Sequence, residues 1–371
     1  MKPAELRSEI PAVQNATYMN TGASGPSPRR VVEAAHSFLE RAEYDVHASD
    51  DIYEFTFGEY ERIRGEIAKF VGASPAELAL AESTTDGMAR FASGIDWEPG
   101  DVVVRTDLEH PAGILPWQRL EREGVEVRVV ETENGRIDLD EFTDAVADAK
   151  LACFSALTWT HGTQLPVAEL ADIARDAGVL TLVDAVQVPG QAPLDVEEWG
   201  ADAVASAGHK WLLGLWGGGF LYVRQEVADQ LEPRSVGYRS VQSPGSSSFQ
   251  FKQGAPRLEI GTTNLAGHVG LLEAIETMES VGLGTIQDRI RELTDRFKAS
   301  VPDDRLLSPR EYESGLVTVD VPDPEETVER LDDGGFKVRS IPTMNAVRVS
   351  LHVFNTPEEV DALLAELDSE L

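Results

Sequence analysis

The chain has 371 residues, 42% of them hydrophobic, and sets 32 Lys and Arg against 65 Asp and Glu for a net charge of −33. That length and apolar content support two packed domains and exclude global disorder. So large a negative charge repels phosphate backbones and anionic headgroups, which sets nucleic acid and membrane surfaces aside as partners.

The N-terminal segment MKPAELRSEIPAVQNATY lacks the apolar core of a signal peptide, and no run approaches the ~18 apolar residues of a membrane span. The expected location is therefore cytoplasmic. Residues 1–17 read as an N-terminal arm. An apolar segment precedes Glu82-Ser83-Thr84-Thr85-Asp86-Gly87, which opens a helix. Strand and helix patterns then alternate. Strands are expected at Asp101–Arg105, Val125–Val130, Leu151–Trp159, Thr181–Val186, Ala203–Ala207 and Gly219–Arg224. Helices are expected at Gly113–Glu123, Leu139–Ala149 and Pro166–Ala177. That order argues for an α/β fold with a mostly parallel sheet covered on both faces. Cys153, the single cysteine, falls in a strand pattern and reads as a small core residue.

The stretch Tyr238–Pro256 is polar and rich in Gly and Ser, so it reads as a loop. Helical patterns follow at Leu265–Val281 and Gly284–Ala299, then a mixed strand and helix region. TPEEVDALLAEL is a terminal helix, capped by Thr356 with Pro357 in its first turn. The expected organisation is an arm (1–17), a large domain (18–250) and a smaller α+β domain (251–371).

The chemistry concentrates between residues 181 and 224. Asp184 and Gln187 fall at the end of one expected strand, and Ser206, His209 and Lys210 at the end of the next. Ligands of open α/β sheets bind at such carboxyl ends. Lys210 lies among apolar residues, which lowers the pKa of an amine and makes it nucleophilic. A nucleophilic amine forms a Schiff base with an aldehyde, and pyridoxal 5'-phosphate is the common aldehyde cofactor. Asp184 can hold the ring nitrogen protonated, while Ser206 and His209 can donate to phosphate oxygens. Hydroxyls and free N–H groups at the Thr84–Thr85 helix start make a second anion site, although a helix cap alone would look the same.

These residues resemble those of the class V aminotransferase family, which includes cysteine desulfurases, selenocysteine lyases and isopenicillin-N-epimerase-like enzymes. The resemblance runs from Tyr18-Met19-Asn20-Thr21-Gly22 to Arg348-Val349-Ser350-Leu351-His352, and Asp184-x-x-Gln187 with Ser206-x-x-His209-Lys210 is its most specific part. It implies the fold type I scaffold of pyridoxal-phosphate-dependent transferases, with a seven-stranded sheet sandwiched by helices and a small C-terminal domain. It implies a Schiff base at Lys210, a ring-nitrogen contact from Asp184, a ring-hydroxyl contact from Gln187 and a stacking role for His110. Thr84, Thr85, Ser206 and His209 are implied as phosphate contacts. Gly261 and Thr262, in Arg257-Leu258-Glu259-Ile260-Gly261-Thr262-Thr263, are implied to serve a partner's site, hence a homodimer with shared active sites. Arg348 and Asn20 fall on the substrate side, Arg348 gripping the α-carboxylate. Trp159 stands where desulfurases carry an asparagine, which leaves the roles of Trp159 and His161 open. His36, His47, His268 and His352 read as structural or surface residues.

The implied reaction is transamination between a small amino acid and an oxo acid, with an epimerase or β-lyase as the alternative. A cysteine desulfurase is disfavoured because Val338–Arg348 contains no cysteine. Schiff-base aldolases and nucleotide-binding proteins lack support, since no P-loop is present.

Lysine supplies only 7 of the 32 basic residues. Abundant acid with little lysine suits concentrated salt, where ions screen self-repulsion. The urea midpoint of unfolding should therefore rise on moving from dilute buffer to molar KCl. An unchanged midpoint would contradict the high-salt reading.

Overall fold

The computed structural model describes residues 1–368 and Glu370. Its central sheet has seven strands: β1 (Leu78–Ala81), β2 (Val102–Thr106), β3 (Glu126–Val130), β4 (Leu151–Ser155), β5 (Leu180–Asp184), β6 (Ala203–Ala207) and β7 (Gly219–Val223). They lie in the order β1-β7-β6-β5-β4-β2-β3. Only β7 runs against its neighbours, pairing antiparallel with both β1 and β6. Strands β4, β6 and β7 are buried at every position, as a sheet covered on both faces requires.

The sequence placed these strands to within one or two residues, except that the fourth stops at Ser155 and not at Trp159. Residues 158–163 instead form a loop in which the Thr163 N–H donates to the Thr158 hydroxyl. In the sequence β1 shows only as an apolar segment. Its four residues carry no period-2 signal because both faces are buried.

Two apolar clusters cover the two faces of the sheet. A third surrounds a three-stranded sheet of β8 (Leu316–Asp320), β9 (Arg339–Ile341) and β10 (Ala346–Ser350), in the order β9-β10-β8. The terminal helix Pro357–Leu367 packs on it through Val360, Leu363 and Leu367, and its predicted cap is a capping box of Thr356 with Glu359.

The domain limits expected from sequence do not match this packing. Leu6, Ile10 and Val13 of the arm belong to the large-domain core. So do Leu271, Ile275 and Met278 of the helix Ala266–Val281, while Ala255 and Leu258 join the core on the other face. The third cluster takes Met19 from the N-terminal segment and Leu293 and Phe297 from the next helix, whose Ile286 and Ile290 still belong to the large-domain core. The large-domain core therefore runs past residue 251 and into the helix Leu283–Ala299. The polar loop before residue 256 marked a change of surface and not a change of core.

One buried ion cluster ties the segment after that loop to the sheet. Glu259 accepts from Arg64 at 2.8 Å and Arg239 at 2.8 Å, and from the Leu80 N–H of β1 at 3.0 Å. Burial works against its charge, but Arg64 and Arg239 overcome that and hold its carboxyl below the ordinary glutamate range. Arg64→Met leaves a buried carboxylate with one guanidinium. It should cost about 3 kcal/mol in urea unfolding, the lower end for a broken buried pair. A cost below about 1 kcal/mol would mean that the cluster does not hold the segment.

Candidate active site

A cavity of about 460 Å³ opens at the carboxyl ends of the sheet. It is within the usual size of a small-molecule site. Its walls include Thr84, Thr85, His110, Asp184, Gln187, His209, Lys210 and Arg348, all expected from the sequence.

Each comes from the end of an element. β1 runs through Glu82 into the helix Thr84–Gly94, whose N-cap Ser83 accepts from the Asp86 N–H at 3.1 Å. The capping job thus falls to Ser83, and the buried Thr84 hydroxyl is left without a partner. Asp184 ends β5, and its Oδ1 accepts from the Val186 N–H at 2.9 Å. Gln187 is fixed at both ends: its Oε1 accepts from Trp211 Nε1 at 2.7 Å and its Nε2 donates to the Gly22 carbonyl at 2.9 Å. One amide proton of Gln187 stays available.

His209 and Lys210 follow β6. The His209 ring stacks on Trp216 at 4.6 Å. The chain at Gly25 passes directly over this turn: its N–H donates to the His209 carbonyl at 2.7 Å. A Cβ at residue 25 would lie 2.1 Å from the Lys210 carbonyl oxygen, so only glycine allows the approach.

Electrostatics follow from burial. Burial pulls the Lys210 amine down to about 8; Asp184 opposes the shift, and Arg348 and Arg339 add to it. Burial raises Asp184 above the ordinary aspartate range against the pull of the Val186 N–H and Lys210. His110 and His209 are both pushed down to about 4, by burial first and then by Lys210, so both rings are neutral at pH 7. His110 Nδ1 accepts from the Ala112 N–H at 3.3 Å, which puts the ring proton on Nε2. A neutral ring is the form suited to lie against another aromatic face.

Arg348 in β10 is buried. Its Nη1 donates to the Trp159 carbonyl at 2.7 Å, while Nε and Nη2 have no partner. Burial and the neighbouring Arg339 lower this guanidinium to about 9. Unsatisfied, desolvated donors of this kind suit a carboxylate taken up in the cavity.

Four expected residues stand elsewhere. Ser206 is fully buried inside β6, off the cavity wall, and its hydroxyl donates to the Ala185 carbonyl at 3.3 Å. It lies one residue short of the strand end, between β5 and β7, so its side chain meets backbone. Asn20 bridges to Ser350 at the end of β10, the central strand of the small sheet, and its Oδ1 is buried without a partner. Gly261 and Thr262 line a second cavity with Tyr60, Arg90 and Glu259. Glu82 borders both cavities. The Thr262 N–H donates to the Tyr238 hydroxyl at 2.8 Å, beside the exposed Tyr238 and Ile260.

Sequence reading missed Arg339, which lines the main cavity, and the buried Glu109 near Asp184. Glu109 accepts from the Thr106 hydroxyl at 2.6 Å, the Ser155 N–H at 3.1 Å and the Ser155 hydroxyl at 2.7 Å. Burial raises it to about 7 against these three donors, and Asp184 adds to the rise. The signal was its place directly after a strand and before His110. The remaining histidines behave as expected: His268 and His352 are buried and bonded to backbone carbonyls, and His36 and His47 lie at the surface. Cys153 is buried in the core, where burial raises its thiol well above the usual range.

The family described as Aminotransferase class-V matches residues 17–363. The chain belongs to this family. It is 31% identical over 388 residues to a protein named probable cysteine desulfurase from Methanothermobacter thermautotrophicus, covering 98% of this chain and 96% of that one. It is 32% identical to isopenicillin N epimerase from Streptomyces clavuligerus, covering 98% and 97%. The apo structure of a cysteine desulfurase from Thermococcus onnurineus NA1 superposes with a TM-score of 0.91 at 29% identity, covering 100% of this chain and 98% of that one. The fold is therefore that of the type I pyridoxal-phosphate enzymes, and pyridoxal phosphate is the cofactor of this class V chain. The residues fit the group: unpartnered Thr84 Oγ1 and the Arg348 donors face a cavity that also holds a depressed lysine and a buried carboxylate.

Because the neutral amine is the nucleophile, cofactor-free protein should react with an aldehyde faster as pH rises, levelling off above about 8. Asp184→Asn removes the one group that raises the lysine, so the inflection should move to lower pH. Reductive trapping across a pH series measures both. An inflection near the ordinary lysine value of about 10.4 would contradict the desolvated-lysine account.

Proposed function

We propose that the protein is a pyridoxal-phosphate-dependent aminotransferase, moving an amino group between an amino acid and an oxo acid. The observation that carries this reading is a single cavity holding a lysine depressed to about 8, a buried carboxylate and a buried guanidinium with two unbonded nitrogens. When bound, pyridoxal phosphate supplies an electron sink that stabilises negative charge at Cα.

The chain's own residues divide the remaining work. Thr84, Thr85 and His209 would hold the phosphate, the threonines at a helix N-terminus whose dipole favours an anion. Asp184 would keep the ring nitrogen protonated, and that positive partner offsets the cost of its buried charge. Gln187 has one N–H to offer the ring hydroxyl. His110 would cover the ring face. Arg348 would grip the α-carboxylate in a bidentate fork and so orient the Cα–H bond. Lys210, with a pKa near working pH, would take the Cα proton and return it to a different atom. Exposed Tyr238 and Ile260 beside Thr262 support a homodimer in which this segment completes the partner's site.

A second reading is a lyase acting on a sulfur amino acid. The names of the similar proteins favour it, and they count against setting desulfurase chemistry aside as the sequence did. Between Ile341 and Ala346 the chain makes only a short turn, Pro342–Met344, with no cysteine. That bears on a route through a protein persulfide and leaves other carbon–sulfur cleavage open.

The test adds amino acids singly to cofactor-loaded protein. Conversion of the cofactor to its amine form with release of an oxo acid supports transamination. Release of alanine, pyruvate or sulfur products from cysteine or cystine without that conversion would replace it with the lyase. Arg348→Ala should weaken amino-acid binding by about 1.5–3 kcal/mol while cofactor still binds; loss of cofactor uptake would overturn its role.

A further inference from the structure

We infer that the substrate carries a second acidic group on its side chain, and that Arg339 is the residue that binds it. This rests on the amino-acid reading above.

Arg339 and Arg348 are directly opposite each other on the antiparallel strands β9 and β10. Like charges in that position repel. Their guanidinium carbons lie 5.9 Å and 6.0 Å from the ring of the same residue, Trp159, and both side chains line the main cavity. Among the described residues neither has an acidic partner, in a chain whose acids outnumber its bases two to one and whose other cavity-free arginines are widely paired. Arg348 is buried and leaves Nε and Nη2 unbonded. Arg339 is exposed at the opening of the cavity.

The charges in the cavity can be assigned in turn. The cationic side chains on its wall are Lys210, Arg339 and Arg348, and the carboxylates are Asp184 and Glu82. Asp184 sits beside Lys210 at the strand ends. Glu82 lies toward the helix start, where the Thr263 hydroxyl donates to it at 3.4 Å. The α-carboxylate is assigned to buried Arg348, whose unbonded Nε and Nη2 form one open fork. A monocarboxylic amino acid would then leave Arg339 facing Arg348 with no counter-charge. A second carboxylate or sulfinate, one or two carbons beyond Cα, supplies it and relieves the repulsion between the two strands. The molecule's overall charge of −33 would otherwise slow the approach of such a dianion, so the two guanidiniums also give it a local point of attraction.

The test titrates cofactor-loaded protein with L-aspartate, L-glutamate and L-cysteine sulfinate, against L-alanine and L-2-aminobutyrate, following the cofactor absorption band. At least one acidic amino acid should bind about tenfold or more tighter than the neutral pair, the worth of one charge-assisted hydrogen bond. Arg339→Gln should collapse that ratio toward unity, and Arg339→Lys should restore part of it. Equal affinity for acidic and neutral amino acids in the wild type, or a ratio unmoved by Arg339→Gln, would overturn the inference and leave the amino-acid reading standing. A band that answers to no amino acid would remove both.

Discussion

The site depends on one constraint: a lysine desolvated at the carboxyl ends of a covered sheet, with a single buried carboxylate to balance it. Lys210 cannot keep an ordinary amine pKa there, because burial and two nearby guanidiniums disfavour its charge and Asp184 only partly compensates. Asp184 is likewise pushed up by burial. A pair left this far from its solution behaviour is poised for an aldehyde and a ring nitrogen, which give each member a better partner than the other can. The neutral histidines on either side follow from the same source, since burial first and Lys210 second depress both.

The fold earns this arrangement by bringing chain ends together over β5 and β6. Gly25 lets the N-terminal segment pass against the Lys210 carbonyl, and the Gln187 amide pins it through Gly22. Trp211, packed between Gln187 and His352, links the turn after Lys210 to the small domain. The small domain contributes Arg348 from a buried strand, anchored on the Trp159 carbonyl of the large-domain loop. On the far side, the Glu259 cluster fixes the 255–263 segment against β1. The net effect is a positive pocket inside an acidic molecule, with surface acids largely on solvent faces.

Much of this was legible in the sequence, for physical reasons. Asp184, Gln187, His209 and Lys210 sit just past short apolar runs bounded by Gly or Asp, and such runs are buried strands whose ends hold ligands. The Thr84–Thr85 helix start was legible from its hydroxyls, although the structure gives the capping role to Ser83. Ser206 was misplaced because one residue of register separates a strand-end side chain from one inside the sheet. Glu109 was missed because an acid beside a histidine looks solvent-facing until Thr106 and Ser155 converge on it. Arg339 was missed because its significance lies in a cross-strand neighbour, and the reach of the large-domain core past residue 251 because helix Ala266–Val281 chooses its core only in three dimensions.

The central claim, that Lys210 is the amine that holds the cofactor, is tested most directly by borohydride reduction of the cofactor-loaded protein and peptide mass mapping. The account predicts a phosphopyridoxyl mass on the peptide containing Lys210 and none on the other six of the 7 lysines. A label on any other lysine in preference, or an unlabelled Lys210 in protein that has bound the cofactor, would contradict it.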